Sequence, residues 1–444
     1  MKLTRKSDEL INIFSKNNPC LKKRTRKNDK LDDILMQIYD DMHDAYRRYI
    51  GSPDNKNETK KLNNAVITLS DIETIHDVPY PSKFPLSSFP DEIRNHINIT
   101  SRYRLDYNVK LSNHRDITFH FVVEDTNTFD PNKYIKYAQD MLVWLHIVNE
   151  YTQRDCAKKL DVYLYFTSLD KRMPQSNLHV LGENNANTAF TTTCPSISEI
   201  VIFREEEWFK VFLHETFHNF ALDFSDMNND DCQQKIKQLF NVESDINLYE
   251  AYTETWAEIM NICFCSYHSL DNDLSDPDTY IASNQKDMKK KKLYLTTCKH
   301  YLNIEQGYSV FQMVKTIGFM GLTYDNLISS SSQDGLLRDT LYKEKTNILA
   351  YYVLKCILIS HYKDFLLWCD ENNTSLIQFK KTKKNQTLFC LFIKDRYMSS
   401  SFLHEILCYE EYTSQLIQKN RSKKKNAKIH YLLNNLRMSI FELE

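Results

Sequence analysis

The sequence predicts an α+β protein, in which a small mixed sheet covered by helices is followed by a mainly helical carboxy-terminal half. Alternating, β-rich runs recur between residues 103 and 203 and are interspersed with helical patterns, which favours a mixed sheet. Beyond Asp230 nearly every apolar pattern has helical spacing. With 444 residues and 42% hydrophobic content, the chain is long enough to bury a large core.

The amino-terminal residues 1–30 are basic and offer few apolar anchors, which predicts a disordered tail. A helix is expected next, over residues 31–49. We divide the rest of the chain into a domain at 31–270, which contains the predicted sheet, and a helical subdomain at 271–444.

The strand signals begin with residues 103–111 and 117–123, which a short polar turn joins into a predicted hairpin. Pro131 then opens a helix that we expect to reach Cys156. Residues 162–166 alternate and read as the next strand.

Two short strands at 189–192 and 200–203 precede a helix predicted from Glu205 to about Asp223, with acidic residues in its first turn. The helical segments predicted beyond it are residues 232–240, 249–268, 289–319, 347–370 and 401–418. The most apolar of them, around 347–368, is interrupted by charged residues, so we expect no membrane span.

The charge balance of 57 Lys and Arg against 59 Asp and Glu argues against nucleic acid as a main partner, beyond contacts of the basic runs at 22–30 and 419–428. The 11 cysteines have no regular spacing, which predicts reduced, buried thiols and an intracellular, cytoplasmic protein. The scarcity of Gly (6) and Pro (10) beside abundant Tyr (27) and Phe (24) is typical of AT-rich genomes such as those of large DNA viruses. If the source is viral, the host cytoplasm or the virion is the expected location. The oligomeric state is not predicted.

The chemistry is concentrated in the pentapeptide 214–218, which has the pattern HExxH. His214 and His218 are four residues apart, so on a helix both imidazoles project from one face and can bind one metal ion. Glu215 lies at the edge of that face, where it can act as the general base on a metal-bound water. Such a site also needs a third protein ligand.

The residues after the pentapeptide do not supply an obvious third ligand. The extended motif of another HExxH branch requires Gly and His where this chain has Ala221 and Phe224. Asp223 and Asp226 follow too closely on the same helix to turn back comfortably. A second helix is therefore the better source.

Glu250, Glu254 and Glu258 lie at i, i+4 and i+8 and share one face of such a helix. Three stacked acids repel one another unless a positive group lies opposite, and a zinc ion with its two histidines would supply it. A solvated acidic stripe is the alternative, but the apolar neighbours Trp256 and Ile259 argue against it.

HExxH followed by a downstream Glu on a helix resembles the gluzincin branch of the zincin metallopeptidases, and Glu254-Thr-Trp-Ala-Glu258 is similar to the third-ligand helix of the anthrax lethal factor catalytic domain. The resemblance covers roughly residues 100–270. It implies that the domain at 31–270 is a zincin-like metallopeptidase domain that binds one Zn²⁺ through His214, His218 and Glu254. It implies Glu258 as the acceptor of a hydrogen bond from a ligating histidine. A shift by one turn makes Glu250 the ligand and gives Glu254 the outer role, an alternative that the sequence leaves open.

The resemblance also implies a zinc metalloendopeptidase that hydrolyses protein or peptide substrates with Glu215 as base. Residues 187–192 would form an edge strand that pairs with an extended peptide. Tyr249 or Tyr252 would stabilise the oxyanion. The competing hypothesis is a catalytically inactive, zincin-like protein that binds peptides or regulates a partner.

Overall fold

The structure is a computed structural model of the chain. It describes residues 1–16, 18–21, 29–49, 65–111, 115–124, 129–152, 155–273, 283–421 and 426–444. The fold, the contacts and the candidate site are those of these described residues.

A single six-stranded mixed sheet lies in the amino-terminal half. Its strands are β1 (Val66–Asp71), β2 (Ser101–Lys110), β3 (Asp116–Glu124), β4 (Lys159–Phe166), β5 (Ala189–Thr191) and β6 (Ile197–Ile202). The strand order is β1-β2-β3-β4-β6-β5. The pairs β1–β2, β2–β3 and β5–β6 are antiparallel, whereas β3–β4 and β4–β6 are parallel. The predicted mixed sheet and its hairpin are therefore confirmed.

Helices make up most of the remaining described chain. They are α1 (Arg5–Ser15), α2 (Asp29–Tyr49), α3 (Asp91–Thr100), α4 (Pro131–Asn149), α5 (Glu183–Ala186), α6 (Trp208–Asn219), α7 (Asp230–Phe240), α8 (Leu248–Asp273), α9 (Ser283–Phe319), α10 (Tyr324–Ile328), α11 (Ser332–Leu341), α12 (Lys355–Ser360), α13 (Tyr362–Asn372), α14 (Lys383–Lys394), α15 (Ser400–Arg421) and α16 (Ala427–Asn434). Short 3-10 turns lie at Ile75–Asp77 and Leu86–Ser88, and a π-helical segment at Leu349–Leu354 leads directly into α12. The predicted helical carboxy-terminal half is confirmed.

The two faces of the sheet are covered differently. Strand β3 is buried along most of its length, because Phe119 and Phe121 face α6 and α4 while Val122 faces the opposite side. On that opposite side a smaller apolar cluster includes Ile93 and Ile97 of α3. The sheet is thus a buried layer between helices, as a strand that is apolar on both faces requires.

One apolar core runs through both halves of the chain. A single cluster of buried side chains extends from Leu10 to Leu443, and α8 packs against both α6 and α9. Helix α8 crosses residue 270, so the division predicted there falls inside a helix and not at a linker.

The disordered tail predicted at 1–30 is wrong for residues 5–15, which form α1. Leu10 and Phe14 of this helix are buried, and Phe14 packs edge-on to Tyr308 of α9. These two apolar anchors, one turn apart, are enough to dock the helix although its surroundings are basic. Residues 22–28, where most of the predicted basic run falls, lie outside the described residues.

Residues 435–444, here called the carboxy-terminal segment, are mostly buried and pack against the core. Leu443 pairs with Leu3 in an antiparallel bridge, and the N–H of Leu436 donates to the carbonyl of Lys171. The side chain of Arg437 is completely buried within this segment.

The prediction of reduced cysteines is wrong at four positions. Disulfides join Cys20 to Cys408 and Cys156 to Cys194, whereas the other seven cysteines are buried thiols. The sequence could not reveal the first pair, because the two cysteines are 388 residues apart. No helix in the described ranges combines the length and the apolar character that a membrane crossing requires.

Candidate metal centre

Helix α6 carries the HExxH pentapeptide between the sheet and α8. All twelve residues of the helix are buried, because it packs against β5 and β6 on one side and α8 on the other. Glu207 precedes the helix in the left-handed conformation (φ 61°), and Ala221 (φ 53°) turns the chain sharply after it. The helix is therefore shorter than predicted, and its position is fixed at both ends.

Three ligand atoms converge beside this helix. The Nε2 atoms of His214 and His218 lie 3.1 Å apart. Glu250 Oε2, from the first turn of α8, lies 3.2 Å from Nε2 of His214 and 3.4 Å from Nε2 of His218. His214, His218 and Glu250 are thus close enough to one another to hold a metal ion.

Glu254, the ligand preferred from the sequence, does not join this group. Its Oε2 lies 2.8 Å from Nδ1 of His214, at ion-pair distance but outside hydrogen-bond alignment. Its Oε1 lies 2.5 Å from Nζ of Lys210. The arrangement corresponds to the alternative register, in which Glu250 faces the ligand atoms and Glu254 lies behind His214. Residues four apart share a helix face, so their spacing alone could not decide between them.

Glu258 does not accept a hydrogen bond from either histidine, contrary to the prediction. Its Oε1 accepts one from Nζ of Lys355 at 2.7 Å, and both side chains are buried. Residue 258 lies two helical turns beyond Glu250, about 12 Å along the axis, which is too far for contact with the imidazoles. Burial raises the pKa of Glu258 above its ordinary value.

Asp223 is the acidic partner of His218, and its role was missed in the sequence. Its Oδ2 contacts Nδ1 of His218, and Thr253 of α8 donates to the same oxygen at 3.3 Å. In the sequence, Asp223 is a possible metal ligand only, and its proximity to His218 on the same helix disfavours that role. The left-handed turn at Ala221 folds the chain back towards α6. Asp223 is therefore placed to contact Nδ1 of His218, the ring nitrogen that faces away from the ligand position.

The charges at this site require a positive group. Burial alone would lower the pKa of His214 and His218, but the surrounding carboxylates raise both above the ordinary value. Burial alone would raise the pKa of Glu250, but the imidazoles lower it well below its usual range. The carboxylates thus favour a positive charge at the two imidazoles. Metal binding requires neutral imidazoles, so a bound cation would itself supply that charge.

Glu215 faces a narrow cavity of about 40 Å³ next to the ligand atoms. Burial raises the pKa of this carboxyl above its ordinary value, and the two imidazoles act in the opposite direction. The cavity is lined by Lys171, Ala186, Asn187, Thr188, Ala189, Lys210, Val211, His214, Glu215, Glu254, Tyr351 and Met438. The site therefore draws on the sheet edge, on α6 and α8, and on the carboxy-terminal half.

Tyr351 is a further residue that the sequence analysis missed. Its hydroxyl donates to Oε2 of Glu250 at 3.1 Å, and its ring lies 6.1 Å from the ring of His214. Of the two tyrosines that were considered, Tyr249 lies near His218 with ring centroids 6.0 Å apart. Tyr252 points away, because its hydroxyl donates to the carbonyl of Ile377. No sequence signal connects position 351 to the pentapeptide, since the two meet only through the packing of the halves.

The predicted edge strand is confirmed at β5, the outermost strand on this side of the sheet. The N–H of Phe203 donates to the carbonyl of Thr188. Because backbone groups alternate in an antiparallel pair, the N–H and C=O of Ala189 and Thr191 point to the free edge. Ala189 also lines the cavity, so this free edge lies next to the ligand atoms.

Comparisons with protein-family models, with curated proteins and with solved structures find no match for this chain.

Proposed function

We propose that the chain is a zinc-dependent metallopeptidase with a zincin-like catalytic site. The observation that carries the proposal is the convergence of His214, His218 and Glu250 beside a buried Glu215. Two imidazoles, one carboxylate and an adjacent acid are the groups that hydrolytic zinc sites use. This is the gluzincin arrangement in the register that places Glu254 behind His214.

The residues present fit a zinc ion. Tetrahedral zinc sites with bonds of about 2.0–2.1 Å hold their ligand atoms roughly 3.3–3.4 Å apart. The three ligand atoms here are 3.1, 3.2 and 3.4 Å apart. Three protein ligands also leave the fourth position for water, as in catalytic sites.

A bound zinc ion would lower the pKa of water to about 7 and polarise the carbonyl of the substrate. The chain's own residues supply the remaining functions. Glu215 takes the proton from the attacking water and passes it to the leaving amine. Asp223 and Glu254 contact the Nδ1 atoms of the two histidines, which directs both Nε2 lone pairs to the ligand position.

Tyr351 is the best candidate for oxyanion stabilisation. Its hydroxyl already lies at the cavity, 3.1 Å from Glu250, and can turn to donate to a negative oxygen. An extended peptide would pair with the free edge at Ala189 and Thr191. Thr188 Oγ1 is buried without a partner among the described residues and lines the same cavity, so it can contact that peptide.

The small volume of the cavity favours a second candidate, a zincin-like protein that binds a peptide or a partner without turnover. About 40 Å³ has room for a few water molecules but not for a peptide. Catalysis therefore requires the cavity to widen when a substrate binds, whereas a regulatory protein does not require it.

Replacement of the general base separates these two functions. Glu215→Gln should retain about one equivalent of zinc, because Glu215 is not a ligand, and should lose at least about 100-fold in peptide hydrolysis. Zinc would be measured by elemental analysis of the purified protein, and hydrolysis with a library of peptides. Exposed Glu371→Gln is the control and should behave as wild type.

Two outcomes would contradict the proposal. Wild-type protein that takes up no zinc would exclude the metal centre. Hydrolysis that persists in Glu215→Gln would exclude the assigned mechanism. Zinc-loaded wild type without hydrolysis of any peptide would favour the regulatory function.

A further inference from the structure

Behind the ligand His214 lies a lysine that the proposed mechanism does not use. Lys210 is one turn before His214 on α6, its side chain is 2% exposed, and its Nζ lies 2.5 Å from Oε1 of Glu254. The other oxygen of Glu254 faces Nδ1 of His214 at 2.8 Å. The two oxygens of one carboxylate are thus divided between a lysine and a histidine.

The chain of charges continues to the start of α6. Oε1 of Glu207 lies 4.0 Å from Nζ of Lys210, and Oε2 of the same carboxylate accepts a hydrogen bond from Nζ of Lys171 at 2.8 Å. All of these side chains are at most 2% exposed. Lys171, Glu207, Lys210 and Glu254 therefore form an alternating, electrically balanced row that ends at His214.

The carboxy-terminal segment is attached to the same row. Oε1 of Glu207 accepts hydrogen bonds from the N–H groups of Met438 and Ser439 at 3.0 and 2.6 Å. Met438 Sδ lies 3.9 Å from Nζ of Lys210. In return, the N–H of Glu207 donates to Oε1 of Glu442 at 2.6 Å. The segment thereby closes the space around Lys210 and restricts where its ammonium group can lie.

We propose that Lys210 is a positioning residue for the metal centre: it fixes one oxygen of Glu254 so that the other faces Nδ1 of His214. Glu207 and the carboxy-terminal segment hold Lys210 in that place. The inference rests on the proposed zinc site but not on peptidase activity.

Stability alone does not account for this row. Taking two charges out of water costs several kcal/mol per ion, and apolar residues of similar volume are often as stable or more stable than a buried ion pair. An ion pair gives instead a defined direction for each carboxylate oxygen. Groups that orient the ligands of a metal in this way contribute about 10–100-fold to its affinity.

Lys355 of α12 offers a matched control, because it pairs with the same helix, α8. It is also a buried lysine that pairs with a glutamate of α8, at 2.7 Å, but its partner Glu258 lies one turn beyond Glu254 and contacts no imidazole. Lys210→Met and Lys355→Met both remove one buried ammonium group and preserve most of the side-chain volume. Only Lys210→Met removes an ammonium group that holds the carboxylate in contact with Nδ1 of His214.

The experiment measures the dissociation constant of zinc for the full chain by competition with a chromogenic chelator. Lys210→Met should bind zinc about 10–100-fold more weakly than wild type. Lys355→Met should bind zinc as wild type does, although thermal unfolding of the metal-free protein should show both variants to be destabilised. Lys210→Arg, which keeps the charge, should recover most of the affinity.

Other outcomes would overturn the inference. Equal losses of zinc affinity in Lys210→Met and Lys355→Met, or no loss in either, would exclude a positioning role while leaving the metal site intact. If Lys210→Met does not fold, Glu207→Gln tests the same row at its next member, and unchanged zinc affinity in that variant would contradict the inference. A wild-type protein that binds no zinc would instead overturn the proposed function, and this inference with it.

Discussion

Glu250 and Glu254 show how position on one helix gives two identical side chains different tasks. Glu250 lies beside Tyr351 and the two Nε2 atoms, where its carboxylate can complete a set of metal ligands. Glu254 lies one turn deeper, between Lys210 and the opposite edge of the His214 ring. The Glu250 carboxylate therefore faces the two Nε2 atoms, and the Glu254 carboxylate faces the Nδ1 edge of the His214 ring.

This difference predicts unequal effects on zinc binding. Glu254→Gln should weaken zinc binding by about 10–100-fold, because the amide still fits beside His214 but no longer carries a charge. Glu250→Gln should weaken it by more, since a ligand is lost. Isothermal titration calorimetry with zinc measures the zinc affinity of both variants. Glu258→Gln is the control and should bind zinc as wild type does; a larger loss in Glu254→Gln than in Glu250→Gln would restore the register that the sequence favoured.

The local part of the site could be predicted from the sequence, but the contacts between distant segments could not. His214, Glu215 and His218 follow from the four-residue spacing of one helix, and the acidic face of α8 follows from the same rule. The spacing rule predicts which face of the helix a side chain lies on, but not how far along the axis it meets α6. Glu250 and Glu254 therefore remained alternative ligands. Tyr351 and Lys210 depend on packing, which no local pattern encodes.

At the scale of elements, a disulfide joins the turn after the edge strand β5 to the segment before β4, and a backbone hydrogen bond joins that turn to the end of α6. Cys194 lies in the turn between β5 and β6, and its N–H donates to the carbonyl of Asn219, the last residue of α6. The bond to Cys156 ties this turn to the start of β4. The disulfide and this hydrogen bond together hold the turn after β5 in place next to α6.

We predict that the double variant Cys156→Ser, Cys194→Ser is less stable by about 2–4 kcal/mol and melts at lower temperature under oxidising conditions. It should also hydrolyse peptides more slowly, because its edge strand is no longer anchored. The double variant Cys20→Ser, Cys408→Ser is the matched control: it should melt lower but hydrolyse peptides normally. Differential scanning fluorimetry and a peptidase assay would check both, and equal activities in the two variants would argue against a role for the anchored strand.

Long, regular elements were predictable, whereas their ends were not. The hairpin β2–β3 and the strand β4 have clear alternation, and both are confirmed. Helix α4 ends at Asn149 and not near Cys156, and α6 begins at Trp208 and not at Glu205. The start of α6 was predicted too early because Glu207 adopts a left-handed conformation, which is uncommon for glutamate and cannot be predicted from the residue type.

At the scale of the whole molecule, both halves of the chain contribute residues to the candidate metal centre. The helices α6 and α8 supply the ligand atoms, while Tyr351 and Met438 from the second half line the cavity. Lys355 of α12 also pairs with Glu258 in the centre of α8. The halves are therefore parts of one core and of one site.

We accordingly expect a fragment of residues 1–270 not to fold into a zinc-binding protein. It would end inside α8 and expose the apolar surface that packs on α9, which favours aggregation. Size-exclusion chromatography and far-ultraviolet circular dichroism with and without zinc would measure this. A monomeric fragment with cooperative unfolding and one bound zinc would show that the predicted boundary is a true domain boundary.

The mixed α+β architecture and the helical second half followed from the sequence, since periodicity reports the type of element. The division at 270 did not, because a change from strands to helices along the chain is not a change of core. Helix α8 has apolar residues on most of its circumference, and such a helix is buried on all sides. The apolar character of residues 248–270 around most of the helix therefore predicts that both halves of the chain share one core.

The backbone at Glu207 has a consequence for attempts to stabilise this protein. A left-handed conformation costs a residue with a side chain about 1–3 kcal/mol, which glycine largely avoids. A redesign guided by backbone conformation alone would therefore select glycine at this position, and the new protein would lose the carboxylate that pairs with Lys171 and holds Met438 and Ser439. The gain in backbone energy would be smaller than the cost of leaving buried Lys171 without its partner, so we expect Glu207→Gly to lower both the stability and the zinc affinity.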